Sequence, residues 1–240
     1  NEFDFNPQGC LIIGPNGCGK TNLLEAIAYC SIGKSIRFHH DEELLNFEGQ
    51  FFRVQSLFIS DQQTPKKVSL SYADQHKLLK IDELPIRQLS SLFEVVKVIY
   101  CAPEDHLLIS GAPRFRRQYF DLAISQLYPP YINVLRHFLH IVQQRNAMLK
   151  RNYSRAEITS WNLSFASSLA EVWNYRNRYL KQVNTAFQET FKDIFPASTA
   201  ISLAYIPSLK LPLESSPEEI IKHLATIEER EKLLQRSLVG

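Results

Sequence analysis

Residues 10–28, CLIIGPNGCGKTNLLEAIA, constrain this chain more than any other stretch. Leu11, Ile12 and Ile13 form a short apolar run of the kind a buried strand needs. Gly14-Pro15-Asn16-Gly17-Cys18-Gly19-Lys20-Thr21 then fits the G-x-x-x-x-G-K-[ST] phosphate-binding loop. Glycines let a backbone turn its N–H groups inward, where a phosphate chain accepts from them. In such a loop Lys20 reaches the β- and γ-phosphates and the Thr21 hydroxyl ligates Mg²⁺. Leu23, Leu24, Ile27 and Ala28 recur at helical spacing, so a helix is expected from Thr21 with its N-terminus toward the anion. Asn22 completes the expected nucleotide-binding set, residues 14–22. The pattern says nucleoside triphosphate; alone it does not say which one, or what work the energy does.

The 240 residues carry a net charge of +2, so nucleic-acid contact requires local patches rather than a polycationic chain. Cys10, Cys18, Cys30 and Cys101 form no C-x-x-C pair and have no zinc spacing, which fits reduced thiols in a cytoplasmic protein. Cys18, close to the expected helix N-terminus, is a candidate reactive thiol. No apolar run is long enough to span a membrane. Residues 1–5 alternate like a strand already under way, and a segment upstream is expected.

Along the chain, Gly33 is placed to stop the first helix. Residues 52–59 and 67–72 alternate partially with period two, separated by turns at 61–65 and 73–75, and residues 78–81 add a short strand. This predicts an antiparallel meander. Residues 93–100, FEVVKVIY, and 201–206 read as further strands. Residues 113–195 read as helical, with many basic residues on what is expected to be a solvated face, and residues 217–236 as a charged amphipathic helix. Three segments follow: a P-loop lobe with inserted strands (1–112), a helical lobe (113–195), and an incomplete return toward the first lobe (196–240). Glu104 and Asp105 follow an apolar strand but are separated from it by three residues, one a proline, so they are poor Walker B acids. Arg37, read alone, is a surface arginine.

Four segments together resemble the RecF family of bacterial recombination and replication-repair ATPases, related to the ABC-type SMC heads. GPNGCGKTNLLEAI is similar to its phosphate loop and following helix, and GKSIRF to its Gly-[Arg/Lys]-Ser-x-Arg segment. YCAPEDHLLISGAPRFRRQYFD resembles its Ser-Pro-Glu-Asp to Arg-Arg-x-Phe-Leu-Asp block, with Ala102 in place of serine, and YINVLRHFLHIVQQRNAMLK its Gln-Arg-Asn helix. The resemblance implies an α/β P-loop NTPase of ABC/SMC-head type with an antiparallel meander and a helical second lobe. It implies ATP and Mg²⁺, an ATP-dependent homodimer, single-stranded or gapped DNA, and a RecR-type mediator, in replication, gap repair and the SOS response. It places Glu104 and Asp105 in a coupling loop and Arg37 in an arginine loop that couples ATP to DNA, so that Arg37 is expected to contact DNA, with Arg116 and Arg117 as further DNA candidates. The family's signature, Walker B acids and D-loop are absent, which leaves the catalytic residues unassigned; DNA-stimulated hydrolysis is expected of a complete protein and not of this chain alone. A P-loop kinase of small molecules and a non-catalytic nucleotide-binding module are the alternatives.

Overall fold

The structure is a computed structural model that describes residues 2–37, 40–61, 64–197 and 200–239. It divides into two units, Asn1–Ser110 and Gly111–Gly240, each with its own core.

In the first unit the phosphate-loop motif runs straight into helix α1 (Lys20–Ile32). Gly33 ends it, with φ 75° and its N–H donated to the Tyr29 carbonyl at 2.8 Å. Left-handed backbone is easy only for glycine. A side chain there would also collide with Leu89, whose Cδ2 lies 2.5 Å from the position of a Cβ. A 3₁₀ turn (Asp41–Leu44) leads to the meander, β1 (Phe51–Ile59), β2 (Pro65–Ala73), β3 (His76–Ile81) and β4 (Leu84–Pro85), paired antiparallel in chain order. Two tight turns set its register. Asp74 and Gln75 both take positive φ between the paired residues Ala73 and His76, and Asp82 and Glu83 repeat this between Ile81 and Leu84. Such left-handed two-residue turns match the twist of the strands they join. The β1–β2 turn includes Gln62 and Gln63, which lie outside the described residues. Val68, Leu70 and Leu79 bury one sheet face against Tyr29 and Cys30 of α1 and Leu92 of α2 (Ser90–Val95). A second 3₁₀ turn (Pro103–His106) precedes the short α3 (Leu107–Ser110).

Four expected strands are not strands here. The described residues 2–5, 11–13 and 201–206 join no ladder, and residues 93–95 of the expected 93–100 strand lie in α2, where Phe93 is buried. A ladder needs a neighbour to take its N–H and C=O groups, and no described strand flanks these segments. Leu11 and Ile13 are consequently 82% and 83% exposed, and Ile99 88%.

The second unit consists of α4 (Pro113–Leu127), α5 (Tyr131–Leu149), the single 40-residue α6 (Arg155–Ile194) and α7 (Pro217–Leu234). Ser154 and Ser216 open α6 and α7 as reciprocal capping boxes with Glu157 and Glu219. Phe138, Phe165, Leu169, Trp173, Ile220 and Leu224 form the core, and Leu209 and Val239 pack into it. From the 196–240 segment set apart on sequence grounds, Leu209, Ile220, Leu224 and Val239 thus pack with the helices. Two of the basic residues expected on a solvated face are internal. Arg145 is fully buried, bonded to Glu231, Asn162 and Ser237. Arg176 bonds to Asp121, Tyr131 and Tyr205.

Candidate phosphate-binding site

Gly17 and Gly19 take φ of 84° and 94°, the left-handed conformation that glycine adopts without strain. Gly19 caps α1 without offering a side chain, so no residue occupies the donors at the helix start. The Lys20 ammonium folds back across the loop and donates to the carbonyls of Gly14 at 2.8 Å and Pro15 at 2.7 Å. It also lies 3.9 Å from the Cys18 Sγ. A lysine ammonium beside a helix start that no side chain caps suits a polyanion. Cys18 also packs under Gly14, where an added Cβ would stand 2.9 Å from its sulfur. Thr21 and Asn22 are exposed on the first turn of α1, and Thr21 offers its hydroxyl there. Pro15 and Asn16 are exposed in the loop.

Residue Glu25, one and a half turns beyond Lys20 on α1, is buried. It accepts the Ser35 hydroxyl at 2.5 Å and pairs with the Arg37 guanidinium at 3.5 Å. Sequence reasoning passed over it, although a lone carboxylate among Leu23, Leu24, Ala26, Ile27 and Ala28 was the available signal. Arg37, in the same unit, is thus anchored to the phosphate-loop helix while its side chain stays 45% exposed. Asp105 accepts the Ala102 amide at 2.9 Å within the 103–106 turn, and Glu104 beside it is exposed. In the second unit Arg116 donates to the Gly111 carbonyl at 3.1 Å, and Arg117 is exposed on α4. Among the described residues no group of three or more His, Cys, Asp or Glu side chains could hold a metal, and no helix is long and apolar enough to cross a membrane.

The AAA-domain family model matches residues 1–238. The chain belongs to the AAA-domain family. Within it, the sequence is 31% identical over 229 residues to the DNA replication and repair protein RecF of Desulfitobacterium hafniense, an alignment covering 93% of this chain and 62% of that protein. RecF of Prosthecochloris aestuarii is 29% identical, over all of this chain and 68% of its own length. The chain spans about three-fifths of the length of its first curated relatives, 62% for D. hafniense RecF. The solved structure of the recombination mediator protein RecF-ATPrS in the RecFOR pathway superposes with a TM-score of 0.86 at 24% identity, covering 95% of this chain and 63% of that one. A RecF-ATP structure gives 0.85. The resemblance to RecF, and the P-loop ATPase head with a meander and helical lobe that it implied, are borne out by this AAA-domain chain and its relatives.

Proposed function

We propose that this chain is the nucleotide-binding portion of a RecF-type replication and recombination-repair ATPase acting on single-stranded or gapped DNA. The observation that carries this reading is the loop itself: uncapped amides at the start of α1, left-handed Gly17 and Gly19, and Lys20 drawn across them. These residues fit a triphosphate. The phosphate chain would accept from the loop amides, and Lys20 would exchange its two carbonyl partners for phosphate oxygens, a stronger charge-assisted pairing. Thr21 would supply a hydroxyl to Mg²⁺, whose role there is to neutralise charge between the phosphates. Relatives described as DNA replication and repair proteins support the DNA-repair reading over a small-molecule kinase.

Under this reading Arg37 contacts DNA phosphate, with Arg116 and Arg117 as further contacts, and residues 104–105 serve as a loop coupling the nucleotide to its surroundings. A RecR-type mediator is the protein partner, a nucleotide-dependent homodimer the working form, the cytoplasm the compartment, and gap repair with SOS induction the setting.

The test is fluorescence anisotropy of an oligo-dT strand across a salt series. Each DNA phosphate that a variant no longer neutralises should flatten the log–log slope by about 0.7. Arg37→Ala, Arg116→Ala and Arg117→Ala are each expected to do so. Unchanged slopes for all three would return these arginines to the solvated surface.

A further inference from the structure

We infer that the outer face of the meander, centred on Arg53, Lys67 and Lys80, is a further surface on which single-stranded nucleic acid lies. This rests on the reading of the chain as a DNA-binding protein, and it adds a surface that the assignment of Arg37, Arg116 and Arg117 does not use.

The physical case begins with register. Val68, Leu70 and Leu79 turn into the core, so the residues that alternate with them point the other way. Phe51, Arg53 and Leu57 of β1 therefore share the outer face with Lys67 of β2 and with Leu78 and Lys80 of β3. Three cations on this face act on one carboxylate. Lys67 binds Glu83 at 2.7 Å and holds it below the usual carboxylate range, and Lys80 and Arg53 lower it further. Lys66 and Asp82 cancel each other in a separate pair at 2.8 Å. Two positive charges are left over. Arg53 donates to the neutral side-chain amide of Gln55 at 3.1 Å, and Lys80 enters no ion pair among the described residues. With strands about 4.8 Å apart and a rise of about 3.4 Å per residue, the Cα atoms of Lys80 and Arg53 lie about 12 Å apart, and those of Lys80 and Lys67 about 8 Å apart. One extended polyanion can reach all three. The apolar residues among the cations select its kind. Phe51 is 72% exposed, Leu57 61% and Leu78 46%, all on the same face. A single strand brings phosphates to the cations and open base faces to such side chains, whereas a duplex keeps its bases stacked inside. An acidic peptide would meet the charges and leave Phe51 without a stacking partner.

Fluorescence anisotropy of an oligo-dT strand over a salt series, on the full chain, tests the surface. Arg53→Gln and Lys80→Gln should each flatten the log–log slope by about 0.7, and the double variant by about 1.4. Lys66→Gln, whose charge Asp82 already takes up, should leave the slope unchanged. Phe51→Ala should weaken binding by about fivefold or more with the slope preserved. These four side chains lie outside the core cluster of the first unit, and thermal melts check that the variants fold. Photo-crosslinking of an iododeoxyuridine strand to the wild type needs no variant, and crosslinks within residues 51–59 are expected. Unchanged slopes in both Arg53→Gln and Lys80→Gln overturn the proposal and leave the DNA reading standing, as do crosslinks that avoid 51–59. Equal flattening by Lys66→Gln, or equally tight binding of poly-glutamate, would show a general attraction of charge and also overturn it. A wild type that binds no oligo-dT overturns the DNA reading and the proposal with it, so the two failures are distinct.

Discussion

Replacing Glu231 by alanine should unfold the second unit far more readily than its place in a charged helix suggests. The Glu231 and Arg145 side chains are both wholly buried, joined by hydrogen bonds of 2.6 and 3.1 Å. Arg145 also donates to Asn162 at 3.0 Å and Ser237 at 2.9 Å, while Glu231 also accepts from the Leu238 amide at 2.8 Å and the Ser237 hydroxyl at 3.1 Å. Removing the carboxylate strands a guanidinium with no counter-charge and frees two further donors. Breaking one side of such a buried pair costs about 3–5 kcal/mol. At about 2–4 °C per kcal/mol for a protein of this size, Tm should fall by about 6–20 °C. The double replacement Arg145→Met with Glu231→Leu removes both charges, and should recover most of the loss. Circular-dichroism melts and urea titrations of the two variants decide it. A loss below about 1 kcal/mol for Glu231→Ala, or a double variant as unstable as the single, would refute the reasoning.

Two further outcomes follow from the first unit. Gly33→Ala forces a side chain into left-handed backbone and against Leu89, and should cost about 1–3 kcal/mol in a thermal melt; a wild-type Tm would show that the 33–34 backbone relaxes freely. Burial, and then the bond to Asp41, push the Tyr29 phenol far above its ordinary range. Its folded pKa is raised, so its contribution is complete below the unfolded phenol value of about 10 and is lost as pH rises beyond it. Tyr29→Phe should therefore lose stability less steeply than wild type between about pH 10 and 12; identical slopes would contradict the assignment.

The phosphate loop was legible because its chemistry is local. Gly17, Gly19 and Lys20 act within a few residues of one another, and the order of loop and helix is written in the chain. The meander was legible for a similar reason: alternation within each strand and the turn at 73–75 mark it, while the second turn at 82–83 and the short β4 showed only in the fold. Residues 11–13 and 93–100 carried the composition of buried strands, but strand formation depends on a neighbour, and no described strand flanks them. The arginines failed in the opposite direction. Arg145 and Arg176 look like their exposed neighbours in sequence, and only partners 86 residues away at Glu231, and 55 away at Asp121, make them internal. Glu25 fell between the two cases, since its apolar surroundings on α1 marked it as buried while its partners on 35–37 needed the fold.

The most direct measurement is a titration of this chain with a fluorescent ATP analogue in the presence of Mg²⁺, set beside Lys20→Ala. The variant loses the ammonium that lies across the loop on Gly14 and Pro15, and a charged hydrogen bond of this kind is worth about 1.5–3 kcal/mol. Saturable binding by the wild type, weakened by about tenfold or more in Lys20→Ala, is the expected result. Equal affinity in the two proteins would contradict the assignment of residues 14–22 as the nucleotide site.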